Sequence, residues 1–247
     1  MAWAEVGGGT QRATKAFSGA SDTLAFPGNV TAGSLLVVAG AAWDSVAPTS
    51  IAVSDDLHGA WPGGQVLSAQ DVGNVRYWVA YFLATSSGAC TVTVDPEGNA
   101  DCSFSIDEFS GSHATPLDVN DGATSGQGDN PSGSITTVAD DALITGVMTH
   151  DDDAVSSPAI TVGASYTQIG ESENNSTNQC HSALFRIVTT PTAYTVDWTC
   201  NIAAGKESGV FLVSFKPAVV GGDTIRLRFP HALDGLGGGL VGGSRIH

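Results

Sequence analysis

Two adjacent carboxylates in "SIDEF", Asp107 and Glu108, are the first residues in this sequence whose types could do acid–base chemistry. Glycoside hydrolysis needs two carboxylates aimed into one cleft, about 5–9.5 Å apart. Neighbours on a strand point to opposite faces, so this pair does not meet that requirement. Glu108 follows Phe104 and Ile106 in the inward register and reads as a buried, hydrogen-bonded carboxylate at a strand end. No GxSxG elbow, HExxH helix, Walker loop or strand-linked GxGxxG is present. No catalytic residue is assigned, and the chain reads as a non-enzyme.

Metal and ligand chemistry has three other sources in the sequence. "VSDDLHG" and "THDDDA" place acids beside His58 and His150. Calcium favours oxygen-rich loops of that kind, but aspartates in turns commonly cap their own backbone. These loops are therefore read as turns, and neither a metal nor a cofactor is assigned. Among the aromatic residues, Tyr77 and Trp78 lie in a run apolar on both sides and read as core. Trp61, in "GAWPGG", is the candidate for stacking on a sugar. The four cysteines form no CxxC pair, which argues against a structural zinc site. Cys90 and Cys102 flank one apparent turn, Cys180 and Cys200 another, so each pair could bridge neighbouring strands. Four buried thiols are the alternative.

The elements that must position these residues are strands. "SLLVVAGAAW" (34–43) and "VRYWVAYFLA" (75–84) are apolar on both faces, as strands covered on both sides are. "CTVTV" (90–94), "CSFSIDEF" (102–109), "ALITGVMTH" (142–150), "SALFRIV" (182–188), "YTVDWTC" (194–200) and "GVFLVSF" (209–215) follow, bounded by Gly, Pro, Asn, Asp or Ser. In "YTVDWTC" the period of two marks a half-buried strand. No amphipathic helix is found. The order repeats about 107 positions later: an apolar strand ending in an acidic loop, a long stretch, then a closing hairpin. The expected fold is all-β, a two-sheet antiparallel β-sandwich, jelly-roll-like, built from two similar halves that interleave over residues 1–218. Residues 116–138 read as a strand plus a long loop.

Charge limits the partners. There are 9 basic and 25 acidic side chains, a net charge of −16, with −17 on residues 1–221 and +1 on the remainder. Such a surface repels nucleic acid. No apolar run approaches the length of a membrane span, and "MAWAEVGGGTQRATKAF" lacks the pattern of a secretory signal. The sequence thus predicts a protein made in a cytoplasm, with no membrane or nucleic-acid partner.

Beyond "SFKPA" the strand pattern stops. Residues 219–247 contain "TIRLRF" and "DGLGGGLVGGSRIH", with six glycines between Gly235 and Gly243. Glycine loses the most backbone freedom on ordering, so this segment cannot pack by itself. It is read as an extended arm that takes its shape from another molecule. Ile225, Leu227 and Phe229 would lie on one side of a strand added to a neighbour's sheet, with Arg226 and Arg228 on the other. Leu236, Leu240, Val241, Arg245 and Ile246 would fill a groove.

"AGSLLVVAGAAW", "IAVSDDLHGAW", "YWVAYFLA", "SIDEFSG" followed by "PLDV", and the closing "GVFLVSFKPA" together resemble a jelly-roll-like β-sandwich domain of phage virion proteins (decoration, fibre or tail) and bacterial surface proteins. The resemblance covers residues 10–218 and carries no catalytic residues. It implies a displayed, accessory role: a non-enzymatic bacteriophage virion protein, a capsid decoration or fibre/tail accessory on the virion surface, anchored by its arm. Expected partners are capsid or tail proteins and copies of the chain itself. The alternative is a carbohydrate- or receptor-binding adhesin module that contacts a host-surface glycan.

Overall fold

The computed structural model describes residues 2–70, 74–127, 132–150, 161–174, 179–199 and 207–219. The first half runs β1 (Ala4–Glu5), β2 (Ala13–Gly19), β3 (Asp22–Ala25), β4 (Leu35–Trp43), β5 (Ile51–Asp55), β6 (Gly59–Ala60), β7 (Val66–Gln70), β8 (Val75–Leu83), β9 (Thr91–Pro96) and β10 (Ala100–Ser110). The second half runs β11 (Ser112–Gln127), β12 (Ser132–Thr136), β13 (Leu143–His150), β14 (Thr161–Val162), β15 (Thr167–Asn174), β16 (Gln179–Ile187), β17 (Ala193–Thr199) and β18 (Glu207–Pro217).

Every strand pairing is antiparallel. In the first half a large sheet is ordered β2-β10-β4-β8-β7, with β1 also on β10, and a small sheet β3-β9-β5-β6. In the second half the orders are β11-β18-β13-β16-β15 and β12-β17-β14. With β7 and β15 set aside as added edges, both halves have the winding of a jelly roll. The all-β antiparallel sandwich is therefore the fold. Its halves do not interleave, however: each closes its own pair of sheets.

Three apolar clusters show how the four sheets stack. Leu36, Val38, Trp78, Phe104 and Ile106 meet Val53, Val92 and Val94 inside the first half. Ile144, Met148, Leu184 and Leu212 meet Val196 and Trp198 inside the second. Between the halves, Leu35, Val37, Tyr77 and Phe109 pack on Leu143, Val147, Phe185 and Phe211. The order of layers is small sheet, large sheet, large sheet, small sheet.

Hydrophobic periodicity follows directly from this order. β4 and β13 have both faces covered and are buried almost throughout. β9, β12 and β17 belong to the outer sheets and alternate, buried and less buried, with period two.

The two halves also match residue by residue. Gly40 on β4 lies opposite Phe104 and Trp78, and Gly146 on β13 lies opposite Leu212 and Leu184. A Cβ on Gly40 would stand 2.6 Å from the Ser103 carbonyl oxygen and 2.7 Å from Trp78. One on Gly146 would stand 2.4 Å from Leu212 Cδ2 and 2.9 Å from the Phe211 carbonyl oxygen. In both central strands, glycine is what lets the neighbouring side chains close over the strand.

The hairpin expected to close each half is corrected: β17 pairs with β12 and β14 while β18 pairs with β11 and β13, and the first half does the same. β9 pairs with β3 and β5 while β10 pairs with β1, β2 and β4, so the chain crosses from one sheet to the other at the turn between them. Cys90 precedes β9 and Cys102 lies on β10. Both are free and buried, so of the two readings open for this pair it is the buried thiols, and not the bridge, that the structure has. Cys180 is buried on β16, and Cys200 lies outside the described residues. So do the arm residues Ile225, Arg226, Leu227, Arg228, Phe229, Leu236, Leu240, Val241, Arg245 and Ile246.

Candidate functional site

The densest polar knot of the small sheet is built on Asp55, the last residue of β5. Its Oδ1 accepts the backbone N–H groups of Leu57 at 2.8 Å and His58 at 2.5 Å, which folds residues 56–58 into a turn. Gly59 then takes φ +86°, a left-handed conformation that glycine adopts without strain, and the chain returns as β6. The turn brings His58 Nδ1 to 3.0 Å and 3.1 Å from the two carboxylate oxygens. An ionised carboxylate only accepts, so Nδ1 carries the ring proton. His58 Nε2 is left to accept from the Ser86 N–H at 3.4 Å.

Trp61 completes the knot and overturns its expected role. It is 5% exposed, its Nε1 donates to Asp55 Oδ2 at 2.6 Å, and its ring stacks on Phe82 with centroids 5.6 Å apart. The flanking glycine and proline suggested a surface loop, but the β5 turn folds the indole inward. Trp61 therefore offers no open face to a sugar. It does help line a cavity of about 300 Å³, together with Ser54, Thr93 and Asp95.

Cys90 reaches the same place from the start of β9. One donor atom each from Asp55, His58 and Cys90 lies within 4.8 Å of the others. Burial, then the charges of Asp55 and Asp56, push the Cys90 thiol up to about 12, so it is no nucleophile by itself. The sequence carried no sign of this meeting, because Cys90 is far from the turn and in no ligand spacing with it. His150, the other histidine beside an acidic run, is buried on β13, and residues 151–160 lie outside the described residues.

The second polar cluster lies on the seam between the halves. Asp107 faces the second half and is fully buried; Glu108 faces the opposite way and accepts the Thr31 N–H at 2.8 Å through Oε1. Arg12 bonds Glu5, donates from Nη1 to the Gln168 carbonyl at 2.9 Å, and stands over the Phe185 ring. Its Nε is 3.7 Å from Asp107 Oδ2. With Glu5 holding the guanidinium, burial first and the Glu5 charge second push the Asp107 carboxyl up to about 8. His181, on β16, is enclosed by first-half serines, and burial lowers it to about 3.

These groups hold the fold together. Asp107 and Glu108 share no cleft, and the Asp55 and His58 side chains are shut away from water. No family model matches the chain, and no curated protein and no solved structure matches it.

Proposed function

We propose that this protein is a non-enzymatic structural component of a bacteriophage particle, a double jelly roll displayed on the virion surface and anchored through residues 219–247. The observation that carries the reading is the contrast between body and tail. The body buries both faces of its two large sheets and satisfies its main acidic turn internally. The tail sequence has too few apolar residues among its glycines to build a core. An anchoring partner supplies what that composition lacks, and a net charge of −16 keeps displayed bodies apart. Jelly rolls serve as capsid and lectin domains, which favours this reading by analogy of fold.

The test is location. Electron microscopy of purified particles, with the protein labelled, should find it at regular surface positions. A chain lacking residues 219–247 should fold and stay in the soluble fraction while the particles lose the label. Full-length protein absent from particles would sink the proposal.

The cavity beside Trp61 favours a second reading, an adhesin module that binds a glycan. Trp61→Ala does not test it, because the indole is core. Asp95→Ala, at the cavity rim, does. Under the adhesin reading, glycan binding survives removal of the arm and is lost in Asp95→Ala.

A further inference from the structure

We propose that Asp55, His58 and Cys90 form a binding site for a divalent, sulfur-tolerant metal ion of the zinc class. The three side chains offer one oxygen, one nitrogen and one sulfur donor, all within 4.8 Å of one another. Around a tetrahedral zinc ion, donors about 2.0–2.3 Å from the metal lie about 3.3–3.7 Å apart. The His58 Nδ1 to Asp55 Oδ1 separation is already 3.0 Å. Small side-chain rotations therefore suffice to close the set.

Charge favours the same ion. A carboxylate, a thiolate and a neutral imidazole sum to −2, so a divalent cation leaves the buried site neutral. Cys90 loses its thiol proton to solvent as the metal–sulfur bond forms, and the His58 ring proton moves from Nδ1 to Nε2, giving up the 3.4 Å contact with the Ser86 N–H. Among the described residues, Asp55 has His58 as its ion partner, and no Lys or Arg competes for it. Calcium does not fit, because it takes 6–8 oxygen donors.

The supports of the site are in place too. The Asp55 turn fixes two donors three residues apart. Trp61 Nε1 holds Asp55 Oδ2 and so orients the carboxylate from outside the donor set. Cys90 is anchored by its carbonyl, which accepts the Phe26 N–H at 2.9 Å. This inference does not depend on where the protein is displayed.

The experiment uses the untagged, reduced full chain, stripped with chelator and titrated with Co²⁺. One equivalent should bind with a thiolate-to-cobalt charge-transfer band, and Zn²⁺ should displace it. Cys90→Ala and His58→Gln should each bring the band to baseline, while Cys200→Ala should keep it. X-ray absorption of the wild-type complex, which needs no substitution, should show one sulfur in the metal's shell. No retained metal, a shell without sulfur, or a band that survives Cys90→Ala would overturn the site.

Discussion

His181 of the second half lies between Ser103 and Ser105 of the first, its Nδ1 2.7 Å from one hydroxyl oxygen and its Nε2 2.8 Å from the other. A neutral imidazole can donate from one nitrogen and accept at the other, so it matches two hydroxyls. An imidazolium cannot accept, and its charge would be fully buried.

The first prediction concerns acid. His181 is lowered to about 3 in the folded chain, against about 6.5 when unfolded. Between those values the unfolded state binds the extra proton. Its contribution to stability is therefore full above about pH 6.5 and is lost as pH falls toward 3, with a limiting slope of about 1.4 kcal/mol per pH unit. His181→Gln should be less stable at neutral pH and should lose that acid slope. Urea unfolding at a series of pH values measures both.

Asp107 has the opposite sign. Its folded value of about 8 lies above the unfolded value of about 3.9, so the folded state holds the extra proton between them. Its contribution is full below about pH 4 and is lost as pH rises through 8. From about pH 4 to 6.5 the two slopes oppose each other, and stability should vary little with pH. Asp107→Asn should remove the decline between about pH 6.5 and 8, as read by thermal melts across that range.

Glycine at the centre of each half gives a third prediction. Gly40→Ala forces a Cβ against the Ser103 carbonyl oxygen and Trp78, with backbone on one side and a packed indole on the other. Gly146→Ala meets the movable end of Leu212 and the Phe211 carbonyl oxygen at 2.9 Å, a less severe backbone approach than the 2.6 Å at Gly40. Both should destabilise, within the roughly 1–3 kcal/mol typical of overpacking, and Gly40→Ala should be the worse. Denaturant midpoints at equal m-value decide the order.

A fourth follows from Trp61. Trp61→Phe keeps a ring on Phe82 but removes the Nε1 donor from a buried carboxylate oxygen. The expected loss is about 1–3 kcal/mol. A shift in urea midpoint below that range would mean that the Asp55–Trp61 bond contributes little.

What the sequence made legible follows the layers. The apolar runs 34–43 and 75–84 announced strands covered on both sides, and the alternation of Tyr194, Val196 and Trp198 announced a half-buried strand. β2 and β15 were hidden. Their sequences, such as "ATKAFSG" and "TQIGESEN", are polar because they form the margins of the large sheets. Of the Asp107–Glu108 pair only Glu108 was read as buried, because the cover of Asp107 is supplied by the other half of the chain. Trp61 was misjudged for the same reason: local composition does not report which distant strand closes over a turn.

The shared middle layer makes the two halves mutually dependent. Either one, cut free, would present to water the apolar sheet face that carries Leu35, Val37 and Tyr77, or Leu143, Val147 and Phe211. A solitary repeat would have to find a twin or precipitate. Fusing two repeats into one polypeptide converts that search between molecules into an intramolecular encounter, independent of how dilute the protein is.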